Sequence, residues 1–120
     1  MKEHWVVRFG DEFELEFSEL HLDVRNEIFA LTKVLQQLGP QMGRPRVDTL
    51  KGSSHANMKE LRFRADNGVW RVAFAFDPVR RAILLVAGDK SGVGQRRFYK
   101  AMIAKADKRF AEHLDILEDD

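Results

Sequence analysis

Between Lys59 and Phe76 apolar side chains recur at every second position, with Leu61 and Phe63 before Asn67-Gly68 and Trp70, Val72, Phe74 and Phe76 after it. Successive side chains of a strand point to opposite faces, so this is the pattern of an antiparallel hairpin with one buried face, and Asn-Gly is a residue pair that favours its tight turn. The same alternation sends Glu60, Arg62 and Arg64 to the opposite face, where Arg71 joins them if Leu61 and Phe63 pair with the Trp70 series. A sheet with arginines along one face suits an anionic partner.

The rest of the chain is arranged around that hairpin. Asp77-Pro78 opens a turn, and residues 82–87 form a third strand whose almost unbroken apolar run places it inside the sheet. Residues 4–9, HWVVRF, read as a first strand beside it, closed at Gly10. A seam of apolar residues from Phe13 to Leu38 at spacings of three and four then marks helix. Two helices folded as a hairpin, 11–20 and 23–38, are expected rather than one long one, with Asp11 and Asp23 as N-caps. Gly39-Pro40 ends the second, and QMGRPRVDTLKGSSHAN is too rich in breakers for a long regular element. After the flexible GDKSGVG turn, a last helix over 95–117 carries Phe98, Met102, Ala106, Phe110, Leu114 and Leu117 on its inner face.

At 120 residues with 44% apolar content, the chain is expected to form one domain, 1–120. It has no cysteine, which removes thiol nucleophiles and thiolate metal sites. The four histidines, at 4, 21, 55 and 113, lack ligand spacing, and GDKSGVG lacks the order of a phosphate-binding loop, so neither a metal nor a cofactor is expected. No apolar run approaches the roughly 20 residues that cross a bilayer, and the N-terminus lacks the apolar core of a signal peptide. The sequence therefore reads as that of a cytoplasmic protein with no membrane partner.

The net charge of +1 hides segregation. Residues 1–43 hold 4 Lys and Arg against 8 Asp and Glu, residues 59–109 hold 13 against 5, and residues 110–120 hold none against 5. A basic middle between acidic ends suits a phosphate backbone. Arg44, Arg46, Lys51 and His55 form a cationic rim in the long loop, and Arg96, Arg97, Lys100, Lys105, Lys108 and Arg109 make the first half of the last helix basic. Cations at a helix start oppose its dipole, which suggests that they serve a ligand. Such a set can hold a phosphodiester and cleave it if the strand brings its own nucleophile, the 2′-hydroxyl of RNA. Arginine neutralises the pentacoordinate phosphorane, and a lysine can move protons if neighbouring cations lower its pKa. Lys59 and Lys90 stand where arginines could crowd them.

TLKGSSHANMKELRF, then VWRVAFAFDPVRRAILLVAGDK and a lysine-rich helix, resemble the phage-derived, HigB-like branch of the RelE/ParE toxin superfamily of bacterial type II toxin–antitoxin systems. The resemblance implies an α+β fold, a small antiparallel sheet packed against an N-terminal helix hairpin with a C-terminal helix. It implies a toxin that is a ribosome-dependent endoribonuclease acting on mRNA. Its partners would be the ribosome and a cognate antitoxin, expected to be a helix-turn-helix DNA-binding protein, in a higher-order toxin–antitoxin complex. Carried over, the working residues are Arg62, Arg71 and Lys90, with Lys59, His55 and Tyr99 beside them. Arg44, Arg46, Lys51, Arg64, Arg96, Arg97, Lys100, Lys105, Lys108 and Arg109 are then expected to contact RNA and the ribosome. One departure is Glu60, which falls where RelE-like nucleases tend to place a lysine; it could be a base or could orient Arg62. Two alternatives stay open, a ParE-like topoisomerase poison on the same fold and a non-catalytic RNA-binding module.

Overall fold

The computed structural model describes residues 4–119. In chain order these form β1 (Val6–Phe9), α1 (Asp11–Phe17), α2 (Leu22–Leu38), a 3-10 turn (Gly39–Gln41), β2 (Val47–Thr49), β3 (Met58–Ala65), β4 (Gly68–Phe76), β5 (Arg81–Asp89) and α3 (Gln95–Asp119). The strands make one sheet in the order β1-β5-β4-β3-β2. It is mixed: β1 runs parallel to β5 at its edge, and the other pairs are antiparallel.

The hairpin stands in the register its alternation requires, with Leu61 opposite Val72, Phe63 opposite Trp70 and Arg62 opposite Arg71. Its turn lies one residue earlier than expected. Asp66 and Asn67 take the positive φ angles, 49° and 59°, while Gly68 already pairs with Ala65. Asp and Asn tolerate that region better than other non-glycine residues, so the turn needs no glycine at its centre.

The large apolar residues of the alternation face the helix hairpin, where Phe13, Phe17, Val24, Ile28, Leu31 and Leu35 pack against Leu61, Val72, Phe74 and Leu84. On the other side α3 lays Met102, Ala106 and Phe110 on Met58, Ala73, Ala75, Ile83 and Leu85. The sheet is thus covered on both faces, which accounts for the unbroken apolar run of β5. A register shift at Ala73/Phe74, opposite Leu84 and Val86, turns both Leu85 and Val86 toward α3.

The helix starts correct two expected caps. Gly10 rather than Asp11 is the N-cap of α1, leaving Asp11, Glu12 and Glu14 in its first turn, where carboxylates suit the dipole. His21 rather than Asp23 caps α2, its ring accepting from the Asp23 amide at 3.1 Å. The breaker-rich loop contains the three-residue strand β2, paired with residues 59–61 of β3. Among the described residues no helix is long and apolar enough to cross a membrane.

Candidate active site

Beyond the contact of α3 with the sheet centre, the strands present their charged residues. Register and parity put Glu60, Arg62, Arg64 and Arg71 on the α3 face of β3 and β4, and Lys90 follows the end of β5. The first turns of α3 bring Tyr99 over them. Gly88 sits opposite Arg71 and lets this happen, because a Cβ there would lie 3.0 Å from the Phe98 ring. A side chain at this position would require the Phe98 ring to give way.

Glu60 and Arg71 are each 6% exposed and stand 3.7 Å apart. The Tyr99 hydroxyl bridges them, donating to Glu60 Oε1 at 2.8 Å and accepting from Arg71 Nε at 3.3 Å. Arg71 Nη1 also donates to the Trp70 carbonyl at 2.9 Å. A buried ion pair is better tolerated when further hydrogen bonds support it, and here they engage Glu60 Oε1 and Arg71 Nε and Nη1. Burial, reinforced by the bond to Glu60, raises the Tyr99 pKa above 10.0, so the phenol keeps its proton at neutral pH. Lys90 Nζ lies 5.9 Å from the centre of the Tyr99 ring. Desolvation first, then Arg71 and Arg62, lower its pKa below 10.5, against the opposing pull of Glu60. The Lys90 main chain is held by its amide bond to the Val69 carbonyl at 2.8 Å. Next to it the Asp89 carboxylate accepts from the Val69 and Ser91 amides and the Ser91 hydroxyl.

The remaining candidates are placed unequally. Arg62 points to Asp48 of β2, 3.7 Å away, and Arg44 meets the same carboxylate at 3.2 Å. Glu60 orients Arg71 and Tyr99, and Arg62 takes its orientation from Asp48, on a strand too short to show a period in the sequence. Lys59 shares the face of Leu61 and Phe63 and does not join the cluster. His55 packs its ring edge-on against Phe110 at 5.0 Å, eleven residues and about 16 Å along α3 from Tyr99, so it is not brought to the cluster either. Its loop is clamped to α3 by Asp107, which accepts from the Ser53 hydroxyl and from the Ser54 amide and hydroxyl. Arg109 is taken up inside the fold, with two bonds of 2.7 Å to Glu16 and one of 2.7 Å to the Leu85 carbonyl, tying α3 to α1 and β5. Arg44, Arg46, Lys51, Arg64, Arg96, Arg97, Lys100, Lys105 and Lys108 are exposed. The cluster thus joins two fixed cations, a lysine that loses its proton more easily than usual, and a protonated phenol, a set suited to holding a phosphodiester and moving protons around it.

Residues 15–111 match the family of phage-derived Gp49-like proteins. Over 93 residues the chain is 48% identical to the putative toxin HigB2 of Mycobacterium tuberculosis, an alignment covering 77% of this chain and 46% of that protein. Over 98 residues it is 42% identical to the putative toxin HigB3 of the same organism, covering 82% of this chain and 83% of the other. The chain thus spans about half the length of the first relative and most of the second. The free-state structure of a mutant of the E. coli toxin RelE superposes with a TM-score of 0.61 over 85% of this chain and 96% of that one. At 12% identity this is a likeness of fold.

Proposed function

Because this chain belongs to the family of phage-derived Gp49-like proteins, within the HigB-like branch of the RelE/ParE superfamily, we propose that it is the toxin of a toxin–antitoxin pair and cleaves mRNA on the ribosome. The observation that carries the reading is the bridged Arg71–Glu60–Tyr99 group with Lys90 beside it, set among exposed cations. Arg71 holds the non-bridging oxygens of the scissile phosphate, and Arg62 adds charge as the phosphorane forms. The 2′-hydroxyl oxygen attacks phosphorus and loses its proton through the Tyr99 hydroxyl to Glu60, while Lys90 gives a proton to the departing 5′-oxygen. The products are a 2′,3′-cyclic phosphate and a 5′-hydroxyl. A partner antitoxin, the ribosome and mRNA belong to this reading.

Mapping mRNA ends after induced expression, and in a purified translation system, tests it. The expected result is growth arrest with cuts that depend on ribosomes, persist in excess chelator once ribosome integrity is controlled for, and leave cyclic or 3′-phosphate ends. Ends bearing a 3′-hydroxyl would require another mechanism. Growth arrest without cleavage would favour a topoisomerase poison, and neither effect would leave an RNA-binding module.

A further inference from the structure

The inner side of α3 is buried, and its outward side faces solvent, with Glu12 of α1 bordering it beside Lys105 and Lys108. Along that side run the exposed cations Arg97, Lys100, Lys105 and Lys108, then the exposed carboxylates Glu112, Asp115 and Glu118. None of these seven forms an ion pair among the described residues. Ala101, Ala104 and Ala111 lie between them, also exposed, and leave room for another backbone to approach.

We propose that this face docks on the same face of a second copy of the chain, with the two helices antiparallel. A two-fold axis at Lys108 brings Lys105 within one residue of direct opposition to Glu112 of the second copy and Lys100 within two of its Glu118, offsets that a lysine side chain spans. It also puts Ala104 against Ala111 at the point of closest approach. Each contact occurs twice, as an isologous interface requires. Parallel pairing would oppose four cations to four. Lys108 lies on the axis, where Glu112 of its own helix, four residues on, is within reach. One helix face per subunit buries less than the roughly 800 Å² of a standard interface, so the dimer is weak and dissolves in salt. The dimer rests on the charge pattern alone. Its consequence rests on the toxin reading: it covers the cations that would dock on ribosomal RNA, so the dimer and the ribosome-bound chain exclude one another.

Sedimentation of the full chain across micromolar concentrations, at about 50 and about 500 mM salt, tests the proposal. The expected result is a concentration-dependent dimer in low salt and a monomer in high salt. Lys105→Glu or Glu112→Lys alone should weaken the dimer on the order of tenfold, and the two together in one chain should restore it, with circular dichroism confirming equal helix content. A wild-type monomer under all conditions, a single reversal without effect, or species larger than a dimer would overturn it. The readout is mass, so its failure is separate from any failure of the nuclease reading.

Discussion

Arg71 cannot be tested by simple truncation, because its partner is as deeply buried as it is. Arg71→Ala leaves the Glu60 carboxylate without its cation, a change that costs roughly 3 kcal/mol, so lost cleavage in that variant is confounded with lost fold. Adding Glu60→Gln removes the stranded charge while keeping an acceptor for the Tyr99 hydroxyl. The double variant should therefore regain much of the melting temperature and none of the cleavage, read by thermal melts beside an mRNA cleavage assay. Cleavage by a stable double variant would remove both Arg71 from the phosphate and Glu60 from the path of the proton, and Glu60→Gln alone, with Arg71 in place, gives the share of the loss that belongs to Glu60. Lys90 makes a separate prediction through pH. Its pKa is lowered and the donor role needs the charged form, so activity should fall as pH rises through a value below 10.5. Lys90→Arg stays charged throughout that range and should abolish the limb. Activity that rises with pH over the same interval would make the neutral amine a base instead.

The first turns of α3 depend on a residue that carries no chemistry. In Gly88→Ala the new methyl would stand 3.0 and 3.2 Å from Phe98 ring atoms, and the ring would have to move. Overpacking of this kind costs about 1–3 kcal/mol, but Phe98 is next to Tyr99, so the phenol is displaced with it. The expected outcome is a modest loss in melting temperature and a loss of cleavage as large as that of Tyr99→Phe, both measured on the same preparations. A fully active variant would show that Tyr99 need not be held so closely. Period two is a strong signal, and it made the hairpin, its buried face and the company of Glu60, Arg62 and Arg71 legible in the sequence. What was not legible needed three dimensions. The three residues of β2 are too few to show a period, so Asp48, which draws Arg62 away from Glu60, stayed hidden. A basic residue shows its sign in a sequence but not its partner, so Arg109 reads like the neighbouring lysines although Glu16, far away in sequence, takes both its terminal nitrogens. His55 fell short because Asp107 pins its loop to the middle of α3 rather than beside Tyr99.

Over the whole molecule the basic stretch divides in two. Arg71, Arg81 and Arg109 are each held by a carboxylate, whereas Lys100, Lys105 and Lys108 are exposed and form no ion pair among the described residues. Lys105 and Lys108 stand six and nine residues beyond Tyr99 on α3, Lys108 about 14 Å along its axis and too far to touch the phosphate that Arg71 would hold, and Lys100 follows Tyr99 with its side chain exposed. If they dock on ribosomal RNA, each contact releases counterions, and affinity falls with salt in proportion to the number of contacts. Changing all three to Gln should flatten the logarithmic salt slope by about 2–3 and leave the cleavage positions unchanged. Ribosome pelleting across a salt series measures it, at concentrations too low for self-association. Arg109→Gln serves as the contrasting variant. Its guanidinium is already neutralised by Glu16, so the slope should stay near that of the wild type while the melting temperature drops, because α3 loses its tie to α1 and β5. Equal slopes for the wild type and the triple variant would show that these lysines only face solvent. Docking would then fall to Arg64, Arg96 and Arg97, exposed cations that the triple variant leaves in place.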